Sequence, residues 1–204
     1  MSLGKRAKIL TENQERAILH FLETHGRYTK RNRVLFLLSI KAGLRAKEIA
    51  LLRWSMVTDA EGLVTSAISI ENNVSKGKKG GRIVPMNRDL KVALEAHHSE
   101  QHSKPSQDSP VICSERGRRA RAGEAMSPAS IADWFGDLYR GLGFDGCSSH
   151  SGRRTFITRA ARKIGGVGGS LRDVQHLAGH STLATTQIYI EGEGDAQRKI
   201  VDLI

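Results

Sequence analysis

The stretch Val34–Ile40, VLFLLSI, constrains this chain more than any other, because Ser39 is its one polar residue. A helix that is apolar on every side must be enclosed on every side, so the neighbouring elements have to wrap around it. The spacing predicts this buried helix over Arg33–Lys41, with Gly43 breaking it and a further helix over Ala46–Arg53 (AKEIALLR). Upstream, Thr11 and Gln14 have capping-box spacing, and Ile18, Leu19, Phe21 and Leu22 form the apolar stripe of a first helix that ends near Gly26.

After Trp54 the pattern changes. Leu63–Ile70 is rich in Val, Thr and Ile, and Arg82–Pro85 (RIVP) is a second extended piece. Between them lies SKGKKGG, residues 75–81, a glycine- and lysine-rich tip that predicts a β-hairpin with a basic loop. A third strand falls either just before the hairpin or at Val57–Asp59. Helical patterning returns over Asp89–Gln101, from the Ser127-Pro128 cap to about Arg140, and over Arg153–Lys163, Leu171–Ala178 and Thr182–Ile190. The polar segment 102–110 reads as a loop inside one domain. The expected class is mainly α with a small antiparallel β-sheet (α+β).

The chain has 204 residues, 39% of them hydrophobic, enough for one core of ordinary size. Its 32 basic and 21 acidic residues leave a formal charge of +11, which points to a polyanionic partner. Cys113 and Cys147 form neither a metal pattern nor a disulfide framework, as suits a reducing compartment. No apolar run approaches the ~20 residues that span a bilayer. A cytoplasmic, nucleoid-associated protein with no membrane partner is expected.

Five groups carry chemistry: Arg45 after a Gly-Leu turn, Lys76 at the hairpin tip, His150 with Arg153, His180 in LAGH, and Tyr189. Each alone has an ordinary explanation. Such an arginine is usually a surface residue, a KGKK lysine a solvated charge, a histidine at a helix start a cap-like partner, and a tyrosine in an apolar segment part of the core. Their joint order matters more. Breaking a phosphodiester without a metal places extra negative charge on the non-bridging oxygens, where preorganised donors must meet it. Arg45 and Arg153 suit this, since a guanidinium offers a planar fork and stays charged. His150 and His180 can add donors or transfer protons. Lys76, on a loop able to enter the minor groove, can protonate the leaving 5′ hydroxyl. Tyr189 can hold the bond as a phosphotyrosine ester. No carboxylate cluster has metal-ligand spacing, no GxxxxGK[ST] loop occurs, and Gly165–Gly169 follows a helix and reads as a turn.

These residues fall in boxes that resemble the catalytic domain of the tyrosine recombinases, the phage integrase family. AGLRAKEIALLRW (42–54) carries Arg45, with Glu48, Ile49 and Leu52 matching the helix. SKGKKGGRIVP (75–85) carries Lys76, with Lys78 and Lys79 beside it. HSGRRTFITRAAR (150–162) carries His150 and Arg153. LRDVQHLAGHSTLATTQIYI (171–190) carries His180 and, at the family's usual nine-residue step, Tyr189. The resemblance implies a mainly helical fold with a small sheet and catalytic roles for Arg45, Lys76, His150, Arg153, His180 and Tyr189. It implies a 3′-phosphotyrosine intermediate and recombination of double-stranded DNA in a tetramer on synapsed sites, with no metal and no cofactor. The same residues would serve a type IB topoisomerase-like nicking and resealing enzyme, and a catalytically silent DNA-binding regulator is the other alternative.

The family's second box usually reads H-x-L-R-H. Here Gly152 takes the leucine position, where it is expected to weaken local packing, and Arg154 takes the second histidine position. The catalytic domain is expected over 11–192, after a basic arm at 1–10. Most members carry an N-terminal clamp domain, so either an accessory DNA-binding protein in its place or a longer parent chain is expected. Lys5, Arg6 and Lys8 of the arm are expected to contact DNA. So are Lys78, Lys79 and Arg82 of the hairpin, the Arg116, Arg118, Arg119 and Arg121 run, and Arg154. The tail 193–204, ending IVDLI, is expected to pack on a neighbouring protomer or back on its own core.

Overall fold

The computed structural model describes residues 7–71, 81–101, 105–114, 123–189 and 201–202. Ten elements follow in chain order: α1 (Glu12–Thr24), α2 (Thr29–Ile40), α3 (Ala46–Ala50), β1 (Ala67–Ile70), β2 (Arg82–Pro85), α4 (Arg88–Ser99), α5 (Pro128–Gly141), α6 (Ser151–Lys163), α7 (Leu171–Ala178) and α8 (Leu183–Gln187). Short 3₁₀ turns at Trp54–Met56 and Ile164–Val167 join these elements among the described residues. The mainly helical class with a small antiparallel sheet is the observed one. The chain forms two compact units, Met1–Phe156 and Ile157–Ile204, and the boundary falls within α6.

In the first unit α2 is the central element. Val34, Leu35, Phe36, Leu37 and Leu38 are consecutive and all fully buried, so every face of the helix is covered. α1 and α4 pack on it, and α3 packs on α5. The starts are fixed by side-chain caps. Thr11 and Gln14 form the expected capping box on α1, Asn87 accepts from the Asp89 N–H, and Ser127 accepts from the Ser130 N–H with Pro128 behind it. α2 begins at Thr29, earlier than expected, because Arg31 and Asn32 are buried with it rather than lying in a polar approach. α3 ends at Ala50, short of the expected Arg53. The Leu51 N–H is shared between the Ile49 and Lys47 carbonyls, and the chain then turns into the 3₁₀ segment.

The sheet has two strands among the described residues. Its register pairs Ala67 with Pro85, Ile68 with Val84, Ser69 with Ile83 and Ile70 with Arg82. The expected strand over 63–70 is shorter, and the region proposed for a third strand contributes a single bridge, Thr58 to Val64. Gly81 lies so close to β1 that a Cβ there would sit 2.4 Å from the Ile70 carbonyl oxygen. Glycine at that position is therefore a packing requirement at the foot of the hairpin.

The second unit holds the remainder of α6, then α7 and α8. Ile157, Val174 and Ala178 form its buried apolar part, with Thr158 and Thr186 buried beside them. α8 ends at Gln187, so Tyr189 lies in the turn beyond it rather than inside the expected 182–190 helix. Of the predicted tail, Val201 and Asp202 alone are described. Among the described residues no helix is long and apolar enough to cross a membrane, and no group of three or more His, Cys, Asp or Glu is placed to hold a metal ion.

Candidate active site

In the first unit, Arg45 caps α3 while Arg153 stands in the first turns of α6. One backbone carbonyl connects them. Arg153, only 4% exposed, donates from Nη1 to the Gly43 oxygen at 2.5 Å. Gly43 sits two residues before Arg45 with φ +66°, and a Cβ on it would lie 2.4 Å from Phe156 Cδ1. The turn leading to Arg45 thus needs glycine for its backbone angle and for its space. His150 is exposed just ahead of α6, with its Nδ1 3.4 Å from the Ser149 hydroxyl.

Arg45 is held by Glu48, three residues on. The Glu48 carboxylate accepts from Arg45 Nη1 at 2.9 Å on Oε1 and from the Arg45 backbone N–H at 2.9 Å on Oε2. The same carboxylate meets Arg82 of β2, Nη1 to Oε1 at 2.9 Å and Nη2 to Oε2 at 3.0 Å. Burial pushes the Glu48 carboxyl up. The Arg82 hydrogen bonds and charge, followed by those of Arg45, outweigh burial and hold it below the ordinary carboxylate range.

The second unit places His180 and Tyr189 together. α7 starts at a Ser170–Asp173 capping box. It ends at Gly179, with φ +62°, where the Gly179 N–H reaches the His176 oxygen at 3.0 Å and the His180 N–H reaches the Gln175 oxygen at 3.1 Å. This is a Schellman stop, and it sets the direction in which the chain delivers His180. The His180 ring then has its Nδ1 2.9 Å from the hydroxyl of buried Thr186. Its face stacks on Tyr189, with centroids 5.4 Å apart and planes inclined by 24°. Thr158 of α6 donates to the Tyr189 carbonyl at 3.3 Å, and the Tyr189 N–H reaches the Thr186 oxygen at 3.1 Å.

Of the other sequence-predicted residues, Arg82 is engaged with Glu48 as described. Arg154 donates from Nη1 to the Ala7 oxygen at 3.0 Å, tying the arm to α6. Lys8 is exposed, its backbone N–H on the Gly146 oxygen at 3.0 Å. Lys5, Arg6, Lys76, Lys78, Lys79, Arg116, Arg118, Arg119 and Arg121 lie outside the described residues. Gly152 does not loosen the packing, contrary to expectation. A Cβ there would stand 2.4 Å from Ser39 Oγ and 3.0 Å from Ser39 Cβ, so the glycine lets α6 start directly against α2. Sequence reasoning placed Glu48 on the helix without assigning it to the site, and it passed over Thr158 and Thr186.

A small antiparallel hairpin set among helices, with this order of arginine, histidine and tyrosine, is the catalytic-domain fold of the tyrosine recombinases. The crystal structure of XerA recombinase superposes with a TM-score of 0.71 at 24% identity, over 96% of this chain and 64% of that one. The Tn1549 transposon integrase in complex with transposon right end DNA gives a TM-score of 0.68 at 22% identity, over 96% of this chain and 65% of that one. Tyrosine recombinase XerC of Shewanella oneidensis is 28% identical over 205 residues, which take in 99% of this chain and 61% of XerC. The phage integrase family model matches residues 8–194, and the chain belongs to that family. It spans about three fifths of the length of the XerC relative.

Proposed function

We propose that the protein is a site-specific DNA recombinase that cleaves and rejoins double-stranded DNA through Tyr189. The observation that carries this reading is the pairing of Tyr189 with a His180 ring held by Thr186. In the proposed reaction the Tyr189 Oη attacks the scissile phosphorus, and the bond from phosphorus to the 5′ oxygen breaks. Lys76 gives the leaving oxygen its proton, while the phenol proton passes to a histidine or to water. The phosphate remains on the 3′ side as a tyrosine ester. Arg45 and Arg153 neutralise the non-bridging oxygens, with His150 and His180 as further donors. The ester conserves the bond energy, so attack by another 5′ hydroxyl reseals the strand without a nucleotide cofactor or a metal. Strand exchange on this scheme takes place in a tetramer on synapsed DNA. The Tn1549 integrase captured on transposon end DNA supports DNA as the substrate class.

Covalent trapping tests the reading. The protein is incubated with nicked or gapped duplexes from the DNA flanking its own gene, without metal, then denatured. A slower-migrating protein–DNA adduct is expected, and it is absent with Tyr189→Phe. Binding without any adduct would sink the proposal. An adduct accompanied by relaxation of supercoils but no recombinant product would replace strand exchange with simple nicking and resealing.

A further inference from the structure

The inward face of the hairpin carries a cation where hydrocarbon is the rule. Alternation along β2 puts Arg82 and Val84 on one side and Ile83 on the other. Ile83 is 69% exposed while Val84 is 1% exposed, so the Arg82 side is the buried one. The Arg82 side chain is 11% exposed, less than half the 26% of Arg45, and it meets a carboxylate that is 1% exposed. Burying a charge is unfavourable unless a partner of good geometry offsets it, and here the two Arg82 amino nitrogens face the two Glu48 oxygens fork to fork. A residue so committed to the interior is poorly disposed to reach a DNA backbone. The same two oxygens hold Arg45, one through its side chain and one through its backbone.

We propose that Arg82 is a positioning residue for Arg45, acting through Glu48, so that the seating of the hairpin strand sets where the Arg45 guanidinium stands. The role in DNA cleavage rests on the reading of Arg45 as a phosphate-binding group. The physical reason is that one carboxylate must be oriented by something other than the arginine it orients. With Arg82 in place both oxygens are fixed from β2, and the α3 arginine docks on a set acceptor pair. Without Arg82 the Arg45 backbone N–H still holds one Glu48 oxygen, but the carboxylate can swing about that bond and carry the Arg45 guanidinium with it.

The pH dependence has a defined sign. Glu48 holds Arg45 while its own carboxyl is ionised, and that hold is lost as pH falls through the lowered value of the carboxyl. Among the described residues, removing Arg82 leaves burial opposed by Arg45, so the loss moves to higher pH.

The test uses the full chain with Arg82→Gln and Arg82→Lys. Single-turnover adduct formation at saturating DNA is followed from acidic to neutral pH. Arg82→Gln is expected to slow cleavage on the order of 100-fold, the scale of a misplaced catalytic group, and to shift the acid limb upward. Arg82→Lys restores a charge without the fork and is expected to recover the acid limb and part of the rate. In parallel, the Arg45 guanidinium N–H resonance is recorded in DNA-free protein. It is expected to move or broaden in Arg82→Gln while the remaining amide spectrum holds. A wild-type cleavage rate at saturation with only weakened DNA binding would make Arg82 a phosphate contact and overturn the proposal, as would an unmoved Arg45 resonance. If Arg82→Gln does not fold, Arg82→Lys decides on the same two readouts. A wild-type protein that cleaves no duplex would instead defeat the functional reading, and the resonance would still decide whether Arg82 positions Arg45.

Discussion

Thr186 shows how one hydroxyl can hold an imidazole ring in place. It is fully buried, and its oxygen lies 2.9 Å from His180 Nδ1. With one nitrogen so engaged, the tilt of the imidazole is set. Thr186→Val keeps the shape and removes the partner, and leaving a buried polar atom unpaired costs about 1–3 kcal/mol. We expect the variant to bind DNA as the parent does and to form the covalent adduct on the order of 100-fold more slowly, as suits loss of a proton-transferring group. Full-rate trapping by Thr186→Val would remove it from the site. His180 and Tyr189 were legible because their spacing is distinctive. Thr186 was not, since a threonine in TTQ reads as helix surface or cap. A signal was present all the same: Thr186 stands three residues before Tyr189, which on a helical turn places both on one side. Glu48 carried the same kind of signal, three residues after Arg45, and was read only as part of the helix.

Among elements, the close approaches are made by glycines. Gly43 joins α2 to α3 at a φ of +66°, and it admits the Phe156 ring where a side chain would stand. Gly43→Ala should therefore lose stability twice, by about 1–2 kcal/mol for the left-handed backbone and about 1–3 kcal/mol for overpacking. Phe156→Leu in the same chain should relieve the second loss and leave the first, so a double-mutant cycle by urea unfolding will show favourable coupling. Strictly additive losses would mean that the ring does not resist the new methyl. The helices themselves were readable from periodicity and caps, and α7 and β2 fall where the sequence places them. Boundaries failed where burial or hydrogen-bond sharing overrode local preference, at the start of α2 and the end of α3. Gly152 was misjudged for a related reason. Its partner, Ser39, is more than a hundred residues away in the sequence, and no local pattern announces such a contact.

For the whole molecule, the charge of +11 is the property most directly open to measurement. Binding to duplex DNA should weaken linearly in log K against log salt, with a slope near −0.9 for each phosphate neutralised. Replacing Arg116, Arg118, Arg119 and Arg121 by alanine should flatten that slope by about one unit for every residue that makes a phosphate contact. An unchanged slope would show that this run does not touch the backbone. Net charge was plain from composition. The placement of charge was not, because Arg82 and Arg154 face carbonyl or carboxylate partners inside the protein, and only the folded chain brings those partners near.

The Arg45–Glu48–Arg82 cluster has a consequence for descent. Its three members do not drift independently, because a change at Arg45 or Arg82 leaves the buried Glu48 carboxylate with fewer donors, and a change at Glu48 takes a shared acceptor from both arginines. Lineages should keep or lose the trio as a single heritable character. On the proposed function, a descendant that no longer cut DNA would be free to replace all three with hydrocarbon in one coordinated step, and decay of the trio in a gene would date that loss.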